Sequence, residues 1–284
     1  MLKDPIELYR YPEEWIREGA YEKVASGLYI LTEDGYLRRG ITTGTTAAAA
    51  VVAAVASLYD DVEEVEVLTP VGISVRVDVE AERGFARARK FAGDHAFDAT
   101  DGLVFEAEVV DSGVEFGEGI GVKNGRKAVS EAAMRQIMEN FEIVKRRYGF
   151  EGGVRVSCPE GARIASRTGN ERLGISGGIS ILGTTGFVEP WCEKLVETKL
   201  KIAMQYDRIA ITTGRRAWLY ALRNFPDYQP FVFGVHIDEA LRHPGEKIVV
   251  GFPGLLAVWA GGRDRIFERA EELGVKVVVI GWDG

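Results

Sequence analysis

The sequence predicts an α/β protein with two domains: a mixed, largely antiparallel sheet domain over residues 1–188 and a Rossmann-like α/β domain over residues 189–284. Three observations predict this class. Apolar and polar residues alternate in several stretches before residue 160, an entirely small or aliphatic run covers residues 47–56, and short apolar strands alternate with helical stretches after Pro190. With 284 residues, of which 46% are hydrophobic, the chain can form two cores.

The first domain begins with an N-terminal extension, residues 1–36, in which residues 13–26 are expected to form a helix. That helix could cover a neighbouring element or a second subunit of a homo-oligomer. A second helix follows Thr46, and because it has no polar side it must be packed all round. It is also too short to cross a membrane.

Three strands and a helix are predicted next. One strand follows from the alternation of Val71 to Val79, a second runs from Gly84 to Phe91, and a third passes through Phe105 and Val109. Apolar residues spaced by three and four predict an amphipathic helix over residues 126–148 that lies on this sheet. A short strand at Val154–Val156 completes the domain.

The second domain has four apolar strands separated by helical stretches, at 209–211, 231–233, 247–251 and 275–280. Such alternation predicts a parallel sheet. Ligands of parallel sheets bind beyond the carboxyl ends of the strands, where Thr213 and Gly214 are expected to lie. A simple turn between strand and helix explains such glycines equally well.

Composition excludes several function classes. The N-terminus has no secretory signal pattern and no segment reaches membrane length, so a cytoplasmic protein without a membrane partner is expected. The net charge of −8 argues against nucleic acid. Cys158 and Cys192 are far apart and the chain has only three histidines, so neither a disulfide nor a protein-bound metal is expected.

Loops of glycine and threonine are the chemically informative segments. Residues 40–46 contain four threonines and lead into the apolar helix, whose first N–H groups could hold a carboxylate or phosphate. A threonine-capped core helix is the equally weighted alternative. Related loops recur at 174–186 and 212–214, which favours a ligand with several acidic groups. Residues 117–121 also match a bare GxGxG spacing, a weak signal by itself.

Four of these segments, taken in order, resemble the CbiD-type family of cobalt-precorrin-5B C1-methyltransferases. The resemblance is carried by residues 37–46, the Ala-Gly-Asp loop 92–102, the Gly-Glu-Gly segment 117–121 and above all residues 172–190. It spans roughly residues 37–262. The chain departs from the family pattern at Thr46, where cysteine is usual, at residues 212–215 and in its N-terminal extension.

The resemblance implies methylation of carbon 1 of cobalt-precorrin-5B, giving cobalt-precorrin-6A in anaerobic cobalamin biosynthesis. S-adenosylmethionine would be the donor, the small-molecule partner would be a tetrapyrrole, and cobalt would be carried by that substrate. Two other readings stay open. One is a non-catalytic tetrapyrrole or anion carrier. The other is a phosphoryl transferase using the Thr-Gly helix start, although the chain has no GxxxxGK[ST] sequence.

Catalytic candidates are Asp94, His95 and Glu118, one of which could remove a proton after methylation or orient the sulfonium. Asp98 and Asp101 lie on the same loop, where capping of a turn is the alternative role. Arg172 is the arginine that lies inside the most specific motif. The complete set expected to bind substrate or cofactor is Thr42, Thr43, Gly44, Thr45, Thr46, Gly93, Asp98, Asp101, Gly117, Gly119, Gly121, Arg172, Gly174, Gly177, Gly178, Gly183, Thr184, Thr185, Gly186, Thr213 and Gly214.

Overall fold

A computed structural model describes residues 1–281, which form two compact units. Residues 26–29 and 37–190 form one, called here the mixed-sheet unit. Residues 1–25, 30–36 and those from Trp191 onward form the other, called the parallel-sheet unit. The break at Pro190 lies two residues from the predicted boundary, but the N-terminal extension differs from prediction because most of it belongs with the C-terminal residues.

The mixed-sheet unit contains a sheet of six strands. Three short strands precede it in the chain. The residues of β1 (Tyr29–Thr32) and β2 (Gly35–Arg38) are divided between the two units, and β3 (Gly40–Ile41) belongs to the mixed-sheet unit. The six strands are β4 (Glu64–Leu68), β5 (Ser74–Glu82), β6 (Phe85–Arg89), β7 (Val104–Val110), β8 (Val114–Phe116) and β11 (Gly153–Ser157), in the order β4-β5-β6-β7-β11-β8. Every pairing is antiparallel except that of β8 with β11. The predicted mixed, largely antiparallel sheet is therefore confirmed.

Two long helices pack in this unit. Every residue of α2 (Thr43–Ala56) except Val52 is buried, as its apolar sequence predicts. Helix α3 (Glu131–Tyr148) buries Ile137, Phe141 and Val144. It begins five residues later than predicted, because residues 122–127 form a hairpin of β9 (Val122–Lys123) and β10 (Arg126–Lys127), after which Ser130 caps the helix. Helix α4 (Gly161–Ala165) and strand β12 (Phe187–Val188), which pairs with β3, complete the unit.

The parallel-sheet unit has the parallel sheet that the sequence predicts. Its strands are β13 (Arg208–Thr212), β14 (Gln229–Val232), β15 (Glu246–Gly251) and β16 (Lys276–Val279), all parallel and in the order β14-β13-β15-β16. Five helices accompany them: α5 (Glu193–Ala203), α6 (Arg215–Asn224), α7 (Ile237–Ala240), α8 (Pro253–Ala260) and α9 (Ile266–Glu272).

The N-terminal extension is less helical than predicted. In place of one helix over residues 13–26, it has a 3₁₀ turn at Glu13–Trp15 and a short helix α1 (Ala20–Ala25), separated by Gly19 in a left-handed conformation. Within the parallel-sheet unit, Tyr9 stacks on Phe231 of β14. None of the helices between residues 1 and 281 is long and apolar enough to span a bilayer.

Candidate functional site

The start of α2 is held by the backbone of the glycine motif at residues 182–186. Gly44 N donates to Leu182 O at 2.9 Å, and Thr42 N donates to Gly186 O at 3.0 Å. Leu182 N in turn donates to the Thr43 hydroxyl at 2.8 Å. Two segments about 140 residues apart in the chain are thereby fastened to each other by reciprocal hydrogen bonds.

The threonine side chains of this helix start bond mainly to the protein itself. Thr42 Oγ1 accepts from Thr45 N at 3.2 Å, which is an N-cap. The Thr45 hydroxyl donates to Gly186 O at 2.8 Å, and the Thr46 hydroxyl donates to Thr42 O at 2.9 Å. Thr43, Gly44, Thr45 and Thr46 are buried. These contacts match the capping role, and anion binding by these hydroxyls stays a prediction.

The Gly117–Gly121 loop packs face to face with residues 176–179. Gly121 N donates to Ile179 O at 2.8 Å, and Ile179 N donates to Gly119 O at 3.0 Å. A Cβ at Gly178 would lie 2.2 Å from Gly119 O. A Cβ at Gly119, where φ is +70°, would lie 1.7 Å from Cys158 O. Glycine is therefore required here for close approach of backbones.

A cavity of about 620 Å³ opens where three of the four motifs meet. Its walls come from the start of α2, from Lys90, Asp98 and Thr100, and from Ser130 at the start of α3. The glycine motif and the segment before it contribute the rest of the wall: Thr168, Gly169, Asn170, Leu173, Ile179, Ser180, Leu182, Gly183, Thr184, Phe187 and Val188. All of these lie in the mixed-sheet unit. Among the predicted site residues, the cavity wall contains Thr42, Thr43, Asp98, Gly183 and Thr184.

A buried ion pair forms part of the cavity wall. Lys90 follows β6 and is only 2% exposed, and its Nζ donates to Asp98 Oδ2 at 2.6 Å. Asp98 Oδ1 accepts from the backbone N and the hydroxyl of Thr100, at 2.8 and 2.6 Å. Burial acts to raise the pKa of Asp98, but the hydrogen bonds from Lys90 and Thr100 and the lysine charge outweigh it, so the pKa lies below its usual value. Asp98 is therefore an ionised carboxylate at neutral pH.

His95 lies on the same loop. Burial lowers the pKa of His95, and the nearby Lys90 charge lowers it further against the pull of Asp98, so the imidazole is neutral at pH 7. Phe97 N donates to His95 Nδ1 at 3.0 Å. The proton of the neutral ring is therefore on Nε2, which makes Nε2 a donor and leaves Nδ1 already occupied as an acceptor.

The other acids of the loop stabilise the backbone. Asp94 Oδ2 accepts from Arg38 N at 2.7 Å, and Asp101 Oδ1 accepts from Ala92 N at 2.8 Å. Gly93, with φ +65°, passes so close to Arg38 that a Cβ would lie 2.2 Å from its carbonyl oxygen. The bond that Asp98 accepts from Thr100 N matches the turn-capping alternative, whereas Asp98 Oδ2 pairs with Lys90 and Asp101 bonds to Ala92 N across the base of the loop.

Several predicted residues lie away from the cavity wall. Glu118, Arg172, Gly174 and Gly177 are exposed, and the Thr185 hydroxyl donates to Phe187 O at 3.0 Å. Thr213 and Gly214 belong to the parallel-sheet unit, between β13 and α6, at the carboxyl end of the strand as expected. Residues that sequence reasoning missed are Lys90, Ser130, Asn170 and Ser180. In the sequence, the only indication that Lys90 belongs to a site is an aspartate on the loop that follows it.

Among the described residues, the cavity wall contains neither a histidine nor a cysteine. Within residues 1–281, no group of three or more histidine, cysteine, aspartate or glutamate side chains could hold a metal ion. Cys158 and Cys192 are both free thiols. Burial raises the pKa of the Cys158 thiol to about 12, so this buried side chain is not a nucleophile.

Known proteins resemble the chain over almost its whole length. A family model described as CbiD matches residues 31–190. A cobalt-precorrin-5B C(1)-methyltransferase from Archaeoglobus fulgidus is 72% identical over 282 residues, which cover 99% of this chain and 95% of the relative. An enzyme of the same name from Methanococcoides burtonii is 40% identical over 276 residues, covering 90% of this chain and 81% of the relative.

The fold agrees with these matches. A crystal structure of the cobalamin biosynthesis protein CbiD from Archaeoglobus fulgidus has a TM-score of 0.97 at 72% identity, with 99% of this chain and 100% of that chain covered. The order and spacing of the motifs, the fold and the length of the match all agree. The chain therefore belongs to the CbiD family.

Proposed function

We propose that the protein is a methyltransferase that transfers the methyl group of S-adenosylmethionine to carbon 1 of cobalt-precorrin-5B, giving cobalt-precorrin-6A in anaerobic cobalamin biosynthesis. One observation carries this proposal. The relative with 72% identity over 99% of the chain is named for this reaction.

The cavity of the mixed-sheet unit is the proposed binding place for the ring. The substrate has many acetate and propionate arms, and its recognition calls for hydrogen-bond donors and positive charge. Thr42, Thr184 and Ser130 bring hydroxyl groups to the wall, and Lys90 brings an ammonium group. Helices α2 and α3 both begin at this wall, so their positive ends face a bound carboxylate.

Methyl transfer makes modest chemical demands on the protein. An electron pair at carbon 1 forms the new bond to the methyl carbon, the carbon–sulfur bond breaks, and S-adenosylhomocysteine leaves as a neutral thioether. The protein contributes by aligning the two reactants and by excluding water. A site of glycines, hydroxyls and one buried ion pair suits this role.

Proton transfer is the role proposed for Asp94, His95 and Glu118. Among them His95 is the nearest in sequence to Asp98, but its Nδ1 already accepts from Phe97 N. It is therefore better placed to donate from Nε2 than to act as a base. Asp94 Oδ2 is occupied by Arg38 N, and Glu118 is exposed.

The experiment that tests the function is an anaerobic incubation of the purified protein with enzymatically made cobalt-precorrin-5B and S-adenosylmethionine labelled with ¹³C in its methyl group. Mass spectrometry and carbon NMR of the ring are expected to show one labelled methyl at carbon 1. Retention of the ring by the folded protein without transfer would refute the methyltransferase and favour the carrier.

A further inference from the structure

Lys90 is the cation of a cavity wall whose other charged side chain is Asp98. Among the described residues that form the cavity, Lys90 and Asp98 are the only ones with charged side chains. An ammonium group has three donors, and one of them bonds to Asp98 Oδ2 at 2.6 Å. Lys90 is 2% exposed and Asp98 14% exposed, so this pair is largely shielded from solvent.

Asp98 is arranged to hold the lysine. Its Oδ1 atom accepts two hydrogen bonds from Thr100, and its Oδ2 atom accepts the bond from Lys90. Both carboxylate oxygens of Asp98 thus accept hydrogen bonds. The bond to Oδ2 restricts the position of the Lys90 ammonium group. Asp101, which accepts from Ala92 N, braces the same loop.

Helix dipoles add to the positive potential of this wall. The 14-residue helix α2 and the 18-residue helix α3 both begin there, capped by Thr42 and Ser130. Each helix carries roughly half a positive charge at its N-terminus. Two such ends and one ammonium group outweigh the single carboxylate of Asp98, so the wall attracts a further anion.

We propose that Lys90 binds one carboxylate arm of the tetrapyrrole, with Asp98 as the positioning residue that keeps the ammonium group at the cavity wall. This inference rests on the proposed function, since it needs an acid-rich ring as the ligand. A compact ammonium group can bridge two carboxylates because its donors point in different directions. The bound arm adds affinity for the ring and selects acids over esters or amides.

Binding is tested with two probes, cobyrinic acid, a cobalt corrinoid with free carboxylate arms, and its heptamethyl ester. The main variant is Lys90→Met combined with Asp98→Asn, because removal of the lysine alone leaves a buried, unpaired carboxylate. Lys123→Met is the matched control, since Lys123 is exposed on β9 and does not belong to the cavity wall. Circular dichroism checks that each variant folds.

Calorimetry is expected to give equal affinities for the wild-type and Lys123→Met proteins, both of which prefer the acid. The double variant is expected to bind the acid about tenfold or more weakly and the ester with unchanged affinity. Equal affinity of the folded double variant and the wild type for the acid would overturn the proposal, and so would a wild-type protein that binds neither probe.

Corrinoids with a single amidated arm identify the arm that is bound. Amidation of the arm that Lys90 binds is expected to remove the difference in affinity between the wild-type and double-variant proteins, as in a double-mutant cycle. In the labelled-methyl assay the double variant is expected to show a raised KM with kcat largely kept. If binding of the acid depends on Lys90 but no methyl group is transferred, the proposed methyltransferase activity is refuted and the role of Lys90 stands. If the double variant transfers the methyl group with an unchanged KM, the role of Lys90 is refuted and the methyltransferase activity stands.

Discussion

Thr45 lies at the centre of a buried hydrogen-bond network. Its hydroxyl donates to Gly186 O at 2.8 Å, accepts from Gln136 Nε2 at 3.0 Å and is 3.2 Å from Thr42 Oγ1. We expect Thr45→Val to lower the free energy of unfolding by about 1–3 kcal/mol, because the Gly186 carbonyl and the Gln136 amide each lose one hydrogen bond in a buried network. Urea denaturation followed by circular dichroism measures this loss.

Thr184→Val is the matched control for that substitution. Thr184 is exposed at the cavity wall and has no side-chain hydrogen bond to any described residue. Its loss is expected to change the free energy of unfolding by no more than about 0.5 kcal/mol. Equal destabilisation by the two substitutions would contradict the structural role given to Thr45.

The two cysteines are expected to differ in reactivity. Burial raises the pKa of Cys158 to about 12, whereas Cys192 is partly exposed. Because the thiolate is the reactive form, a thiol reagent such as DTNB should label one cysteine per folded chain at pH 8 and two after denaturation in guanidinium chloride. Cys192→Ser is expected to abolish labelling of the folded protein. Fast labelling of that variant would show that Cys158 is accessible.

The glycines of the loops at 117–121 and 176–179 are explained by the packing of one chain segment against another. Gly119 needs both a left-handed backbone and contact with the Cys158 carbonyl. We expect Gly119→Ala to destabilise the protein by more than about 4 kcal/mol or to prevent folding, since the added Cβ would overlap a backbone oxygen. The yield of soluble protein and the midpoint of thermal unfolding measure the effect.

Gly125 gives the comparison for that prediction. It has a similar positive φ of +73° in the β9–β10 turn, but nothing lies within 4 Å of an added Cβ. Gly125→Ala should therefore cost only the backbone strain, about 1–2 kcal/mol. If both alanine variants lose equal stability, close packing of the loops at Gly119 is not the reason for its glycine.

The sequence predicted elements well where one pattern continues for several residues. The alternation around Val75 to Val79 determines which face of β5 is buried, and the apolar run of α2 requires burial on all sides, so both elements are predicted from sequence. The hairpin at 122–127 and the short parallel strand β8 were not predicted. Their strands have two or three residues, which is too short to show an alternation of apolar and polar residues, and their formation depends on distant partners. The same limit applies to Lys90, because its pairing with Asp98 and its position in the cavity wall depend on the tertiary structure.

At the scale of the whole molecule, the two ends of the chain form one unit. Glu7 is buried, its Oε1 accepts from Lys199 Nζ, and its Oε2 accepts from Val232 N at 2.9 Å on β14. A domain boundary judged from sequence follows chain order, and therefore could not place residues 1–25 with those beyond Trp191. The extension is a structural part of the parallel-sheet unit.

Removal of residues 1–11 should therefore weaken the parallel-sheet unit selectively. Truncation leaves the Lys199 ammonium group without its carboxylate and exposes the face of Phe231 that stacks on Tyr9. Breaking a buried ion pair alone costs about 3–5 kcal/mol. In a urea titration followed by hydrogen exchange, the amides of β13–β16 should lose protection at a lower urea concentration than the amides of β4–β7. Adding Lys199→Met to the truncated chain should restore part of the loss, because the buried ammonium group that has lost the Glu7 carboxylate is then removed. Equal loss of protection in both sheets would mean that the extension stabilises the whole chain.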